Sequence, residues 1–549
     1  MSLPATGKTL AQRVMRAGIA VGIAHLLFKL AGLIQAWAMA RYLPAEIYDA
    51  SYVVAFEGVI FSLFLVGEES LAPACLPTFM RELDTVGERA AWRFANTLLT
   101  LQFLLLIAVV GVLMAFPEWI TRIWTQWSAT SHPAAFALSA GSVRRLAPAL
   151  FGLSLGSTTY VLLNAYKRFF LAAFGDALWK FVVAGALVAG VGLMGFGVEV
   201  LIWGIVAGSV LKLATHAVGL RDKRAWIRPG VDLANPALRR MLWLALPLLI
   251  GIVFAKIRDN INNVYLLSAL DSAGLMQANS MGRKLQSAIH FLVPYSISIA
   301  VFPFFCELVD RDDRAQLGAF ITRSGRHLLA VFIPFACIVA ALSHPLTDLV
   351  FAGGRFDALA VRRTAISMAC YTFMLPAAAI EALVMQAFFA NRRMVAVTVA
   401  GIGFSALSMG ISWFGLHLWA GRELLVLMVI AGGVALTRAL KSWVLVLMLG
   451  RHAPVFPFRP TVLFLCRIVL VSVAAGGAAW LAARYGAAAL AATAGNRVSD
   501  LVQLAAGGAA ALAAGAAACA LLRVREPVEL MQRVLRARTR RPSRGGHTG

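Results

Sequence analysis

Charged residues are scarce in this chain: Asp, Glu, Lys and Arg together make up 14% of its 549 residues. With 60% apolar residues and a mean hydropathy of +0.78, the composition excludes a soluble protein of this length. Long polar stretches are missing too. The longest connections between apolar runs are about twenty residues, too short for a folded domain of their own. The six cysteines (Cys75, Cys306, Cys337, Cys370, Cys466 and Cys519) lie in or at the ends of apolar runs, and none forms a C-x-x-C pair. Neither a disulfide framework nor a metal site is indicated, and they read as packing residues. There is no G-x-x-x-x-G-K-[ST] loop, no nucleophile beside a base and no metal-ligand spacing. This argues against an ATPase subunit or a hydrolase and leaves no cofactor to expect.

What the chain has in abundance is the apolar span. Runs of about 20 apolar residues, enough to cross a bilayer, fall at 17–40, 48–77, 94–116, 142–165, 169–190, 197–220, 240–269, 272–306, 327–351, 364–390, 394–416, 423–449, 461–483 and 501–522. An all-α polytopic membrane protein with about fourteen transmembrane helices is expected. Met1 to Arg16 is polar and basic, and the first run has full span length with no small-residue cleavage site after it, so no cleavable signal peptide is expected. The net charge of +24 does not point to nucleic acid, because the basic residues sit in alternate loops. One side carries Arg81, Arg89, Arg93, Lys167, Arg168, Arg221, Lys223, Arg224, Arg228, Arg239, Arg240, Arg311, Arg314, Arg323, Arg326 and the Arg-rich tail; the other holds scattered ones such as Arg41, Arg122 and Arg355. The positive-inside rule makes the first side cytoplasmic, with both termini on it.

The sequence also repeats itself. Leu76-Pro77-Thr78-Phe79-Met80-Arg81-Glu82-Leu83 closes the second span, and Phe302-Pro303-Phe304-Phe305-Cys306-Glu307-Leu308 closes the eighth. Each is followed by a basic linker and a span with a proline near its far end, Pro117 and Pro345, and Asn164 to Arg168 corresponds to Asn391 to Arg393. The offset stays near 225 residues, so spans 1–6 and 7–12 read as two parallel copies of a six-helix unit. The expected organisation is a cytoplasmic segment 1–16, a first lobe 17–220, a second lobe 221–449, two further helices within 450–522 and a basic cytoplasmic tail 523–549. Span fourteen is rich in Ala and Gly, which favours close helix packing.

Charges inside spans are costly and by default mark functional sites. Two long helices joined at Leu270-Asp271-Ser272 carry Lys256, Arg258 and Asp259 on one arm and Arg283 and Lys284 on the other. Lys256 and Lys284 lie equally far from the turn, hence at similar depth. Unpaired cations there suit a phosphate-bearing substrate; alternatively Lys256 pairs with Asp259 at i+3 and serves packing. Lys29 lies about 20 Å along its helix from Arg16, near mid-membrane. The carboxylates Asp49, Glu57, Glu68, Asp259 and Glu381 are candidates for H⁺ or Na⁺ coupling, and Glu57 equally for neutralising Lys29. Glu381 is expected to face a central cavity. Asp176 and Lys180 read as a structural i,i+4 pair, Lys212 and Lys441 as snorkelling cations, and His290 as a core histidine.

Several of these stretches form an ordered set: Ala40-Arg41, Tyr48-Asp49-Ala50, Val54-Ala55-Phe56, Leu163-Asn164-Ala165, Arg168-Phe169, Phe302-Pro303 and Phe351-Ala352-Gly353-Gly354-Arg355-Phe356-Asp357. In order and spacing, over roughly residues 20–450, the chain resembles the MurJ/MviN lipid II flippases of the multidrug/oligosaccharidyl-lipid/polysaccharide exporter superfamily. The resemblance implies V-shaped lobes opening alternately inward and outward, a cationic cavity for a diphosphate-sugar headgroup, and two last helices bordering a groove for a polyprenyl tail. Lys29 and Lys284 match basic residues of the family. Gln35-Ala36 stands where the family has an Arg-Asp pair, Phe61 to Phe64 where it has a basic pair, and Lys256 and Arg258 where relatives have Gln and Asn. Cationic charge is therefore expected to have moved from the first lobe to the second.

The implied protein is a transporter and not an enzyme: a flippase of the bacterial inner membrane that moves lipid II or a related polyprenyl-diphosphate glycolipid to the outer leaflet. Lys29, Lys256, Arg258, Arg283 and Lys284 would hold the diphosphate. Membrane lipids and glycan-assembly enzymes are the implied partners, without nucleic acid. The rivals are a cation-coupled multidrug exporter, which should prefer an acidic, aromatic cavity, and a non-transporting scaffold. A membrane glycosyltransferase needs a sizeable external loop, and Arg41 to Ile47 is too short for one.

Overall fold

A computed structural model describes residues 10–197, 199–290, 305, 307–309, 311–391, 394–490, 496–524 and 526. The Phe302-Pro303 motif, Arg392 and Arg393, the side chain of His290, the first nine residues and the tail beyond residue 526 lie outside the described residues. The described chain is helical: α1 Leu10–Tyr42, α2 Ala45–Thr85, α3 Glu88–Ala115, α4 Pro117–Trp124, α5 Pro133–Leu146, α6 Ala149–Ala165, α7 Phe169–Leu193, α8 Glu199–Gly219, α9 Pro236–Asn260, α10 Leu275–His290, α11 Arg314–Ala341, α12 Ser343–Phe351, α13 Ala358–Thr372, α14 Met374–Ala390, α15 Met394–Leu418, α16 Glu423–Gly450, α17 Phe458–Leu490 and α18 Asn496–Leu521. Among the described residues, 11 helices are long and apolar enough to cross a membrane, or 12 if the pair α5 and α6, bent by 48°, is one span. The all-helical membrane fold is thus confirmed, while the count of fourteen is not. Of the expected spans, 17–40, 197–220, 272–306, 364–390 and 394–416 include undescribed side chains or residues.

Local chemistry explains the helix boundaries. Proline opens α4, α5 and α9, where its missing N–H costs nothing. Asn235 caps α9 by accepting from the Ala237 N–H, and Asp313 caps α11 by accepting from Gln316. Tyr48–Phe61 of α2 is wound as a π-helix, a form often found at functional positions. The repeat is visible helix by helix: α3 to α8 begin at Glu88, Pro117, Pro133, Ala149, Phe169 and Glu199, and α11 to α16 at Arg314, Ser343, Ala358, Met374, Met394 and Glu423, a displacement of roughly 225 residues throughout.

The chain divides by internal contacts into two compact units, residues 1–280 with 351–357, and 281–350 with 358–549. This differs from the lobe boundary expected at residue 220. The reason is packing: α9, the first helix of the second copy, lies on α2, joined by Lys256 to Glu69 and by Asn260 to the carbonyl of Gly58. Sequence symmetry and compactness therefore part company at α9. Two of the family-like motifs meet in the first unit. The N–H of Arg355 donates to the carbonyl of Arg41 at 3.0 Å, and Gly354, at φ +66°, passes so close to that carbonyl that a Cβ would sit 2.3 Å away.

In the first unit α6, α7 and α8 pack backbone to backbone, Gly152 lying against the carbonyl of Ser209. In the second, α17 and α18 pack on each other and on α11, through Ala475, Ala479 and Ala511 with Leu342; the small residues of the last span serve close packing, as expected. Gly152→Ala places a Cβ 2.3 Å from the Ser209 carbonyl oxygen and is expected to destabilise the protein by about 1–3 kcal/mol. Gly111→Ala, which meets nothing within 4 Å, is expected to be neutral. Thermal unfolding of the purified protein in detergent measures both.

Candidate functional site

In the first unit residues 48–69 of α2 present four carboxylates, and each has a different environment. Asp49 is 3% exposed and accepts from the backbone N–H groups of Gly274 (2.7 Å) and Gln277 (2.6 Å). It caps the N-terminus of α10 from another helix, meeting donors that the helix cannot satisfy itself. Glu57 accepts from the Ser280 hydroxyl at 2.9 Å, and that hydroxyl also contacts the Tyr48 phenol at 3.3 Å. Glu69 takes the ammonium of Lys256 at 2.8 Å. Glu68, half-buried beside it, lies within electrostatic reach of Lys212, Asp176, Glu69 and Lys256.

Deeper in the same unit, Lys212 of α8 is 1% exposed and bonds Asp176 of α7 at 2.6 Å. Gly156 leaves room for the lysine chain, since a Cβ there would stand 2.8 Å from Lys212 Cε. The Phe64 ring lies 5.1 Å from the ammonium. One turn on, His216 is fully buried, with Nδ1 3.0 Å from the Gly156 carbonyl and the Thr159 hydroxyl and Nε2 3.1 Å from the Ala172 carbonyl. Lys180 turns to the face of Phe28, 3.4 Å from the ring centre.

The sequence expectations change accordingly. Lys256 is not uncompensated, and its partner is Glu69 on α2, not Asp259. Asp259 instead binds its neighbour Arg258, at 2.6 Å. Lys212 does not snorkel; it is a buried ion pair, and Asp176 bonds it at 2.6 Å. In the second unit Glu381 accepts from Arg438 (2.9 Å) and Lys441 (2.6 Å). It is therefore a neutralised carboxylate tying α14 to α16, and Lys441 is its partner, not a snorkelling cation. Asp49 is a helix cap. Lys29 on α1, and Arg283 and Lys284 on α10, are half-buried. Lys256 and Arg258 belong to the first compact unit, and Arg283 and Lys284 to the second. The sequence signal for these pairs is opposite charge on different spans, a reading given above only to Glu57 with Lys29.

The comparisons bear on the whole chain. A family model described as lipid II flippase MurJ matches residues 39–492. A probable lipid II flippase MurJ of Rhizobium meliloti is 24% identical over 382 residues, covering 68% of this chain and 69% of the relative. Another, from Bdellovibrio bacteriovorus, is 24% identical over 432 residues, covering 76% and 80%. A solved lipid II flippase MurJ in an inward closed conformation superposes with a TM-score of 0.69 at 17% identity, over 92% of this chain and 99% of that one. An inward-facing MATE-family multidrug transporter of the MOP superfamily does so at 0.66 and 13% identity, over 79% and 98%. At these identities the structures speak for the fold alone.

The Lys212–Asp176 and Lys256–Glu69 pairs should respond differently to neutralisation. Asp176→Asn strands a buried ammonium and is expected to cost about 3–5 kcal/mol, most of it recovered in Asp176→Asn with Lys212→Met. Glu69→Gln, whose side chain is 45% exposed, is expected to cost about 1 kcal/mol or less. Thermal unfolding of the four proteins, wild type included, decides; equal losses at both sites would contradict the assignment.

Proposed function

Because this chain belongs to the lipid II flippase MurJ family, we propose that it carries lipid II, or a polyprenyl-diphosphate saccharide of the same build, across the bacterial inner membrane to the outer leaflet by alternating access. The observation that carries this reading is the family match across residues 39–492. The ionic chemistry of the first unit supports it. Lys256 is 16% exposed and Glu69 45%, so the cation is held while its counter-ion stays open to exchange. A diphosphate offers more charge and more acceptor oxygens than one carboxylate and makes charge-assisted hydrogen bonds to an ammonium. It would take the place of Glu69 on arrival, and Glu69 would return on release. Lys256 would then never stand unpaired in the bilayer, where stranding one member of a pair is costly.

Lys29 and Arg258 of the first unit are the further cations assigned to the headgroup. Among the carboxylates, Glu57 and Glu68 remain the candidates for coupling a cation to the return step; Asp49, Asp259 and Glu381 are engaged as a cap or in ion pairs. With the cell interior negative, each anionic charge moved outward gains about 2.3 kcal/mol per 100 mV. Both termini would be cytoplasmic, and enzymes that assemble the glycolipid would be neighbours in the membrane.

Proteoliposomes carrying a fluorescent polyprenyl-diphosphate saccharide test the proposal. Protein-dependent appearance of the label in the opposite leaflet is expected, faster under an outward-driving potential. Lys256→Ala is expected to slow it at least roughly tenfold, the loss of about one charge-assisted hydrogen bond, at unchanged expression. Efflux of cationic drugs with no movement of the glycolipid would sink the reading in favour of an exporter.

A further inference from the structure

Each six-helix copy ends in a cytoplasmic loop, and each loop folds back over the beginning of that copy's own third helix. In the first unit Asn96 of α3 donates to the carbonyl of Trp226 at 2.7 Å, and the Gly230 N–H donates to the Thr100 hydroxyl at 3.2 Å. In the second the Phe456 N–H donates to the hydroxyl of Thr322 on α11 at 2.8 Å. Gly318 admits the loop there: a Cβ would stand 2.5 Å from the Pro454 carbonyl. Asn96 and Thr322 occupy corresponding positions of the repeat, counted from the helix starts Glu88 and Arg314. The same position thus pins the same loop in both copies.

Beneath each loop lies a cavity, about 640 Å³ in the first unit and about 700 Å³ in the second, within the range of small-ligand sites. Three guanidinium groups and one carboxylate line each: Arg89, Arg93 and Arg228 with Asp232 in the first, and Arg323, Arg326 and Arg523 with Glu526 in the second. Among the described residues no ion pair or hydrogen bond engages the guanidinium of Arg89, Arg93, Arg228, Arg323 or Arg523. Arg326 lies 5.7 Å from the Phe464 ring centre, and its Nε is buried without a partner. Trp92 and Trp226 wall the first cavity, and the Trp92 ring is fixed by donating Nε1–H to the Tyr166 phenol at 2.9 Å.

The arginines do not stand at corresponding positions in the two copies, so the cationic lining is not a by-product of the repeat. Three like charges around one cavity repel unless an anion joins them, and the planar fork of a guanidinium matches a phosphate's oxygens. The cavities lie at the cytoplasmic ends of spans by the charge rule, the depth at which anionic headgroups sit.

We propose that each copy carries a phosphate-binding pocket between its closing loop and its third helix, held by Arg89, Arg93 and Arg228 in one unit and by Arg323, Arg326 and Arg523 in the other. The ligand chemistry is a phosphate group. An anionic phospholipid of the inner leaflet and a free cytoplasmic phosphate compound both supply it. The inference does not rest on the transport reading.

Native mass spectrometry of the full-length protein in detergent tests it, with phosphatidylglycerol, phosphatidylcholine and inorganic phosphate as probes. Wild type is expected to retain phosphatidylglycerol over phosphatidylcholine. Arg89→Ala with Arg93→Ala, and separately Arg323→Ala with Arg326→Ala, should each weaken retention roughly tenfold at one site, the loss of one or two charge-assisted hydrogen bonds. Arg228→Ala, a loop residue with no described partner, gives the same readout should the helix variants fail to fold. Retention of the lipid unaffected by millimolar inorganic phosphate identifies the headgroup as the source. Displacement of the lipid by inorganic phosphate identifies a free phosphate compound. Equal retention of both lipids by wild type and every variant, with no effect of phosphate, overturns the proposal.

Discussion

A charge carried into an apolar helix bundle must find an opposite charge or an oriented dipole, because water cannot reach it there. In the first unit Lys212 meets Asp176, Lys256 meets Glu69, and Asp49 meets the open N-terminus of α10. In the second unit Glu381 meets Arg438 and Lys441. Each of these bonds joins two different helices. They therefore select which helices lie together: α7 with α8, α2 with α9, α14 with α16. Small residues then permit the approach, as Gly156 does beside Lys212. Apolar surface cannot make such a selection, since lipid tails satisfy it as well as another helix does.

The family places the chain among flippases, and the pairs divide by exposure in a way that bears on transport. Lys212 is sealed by Asp176, and that pair reads as structure. Lys256 is partly covered, but its counter-ion is open, and that pair reads as exchangeable. A site for an anionic headgroup needs cations that are neither free, which would be costly in the membrane, nor locked, which would refuse the ligand. The Lys256–Glu69 pair meets both conditions.

The helices and their repeat were legible from the apolar runs and from the spacing of Pro77, Pro117, Pro303 and Pro345, because span length is imposed by the bilayer and proline by backbone geometry. Partners were not legible. Local spacing suggested Lys256 with Asp259 and Asp176 with Lys180, since neighbours three and four residues apart are all that one helix can offer. The observed partners, Glu69 and Lys212, come from other helices, and a single sequence holds no record of which spans touch. The compact units divide elsewhere than the sequence repeat for a related reason: α9 opens the second copy in sequence yet packs on α2 of the first unit. In the sequence the arginines around the two closing loops read only as topology signals, because a single chain does not show which loops fold over which helices.

The central claim is that Lys256 exchanges Glu69 for the diphosphate. Equilibrium binding of a short-chain prenyl diphosphate to the purified protein tests it most directly. With the competing carboxylate removed, Glu69→Gln is expected to bind severalfold more tightly than wild type, and Lys256→Ala far more weakly. Affinity unchanged or reduced in Glu69→Gln would contradict the account.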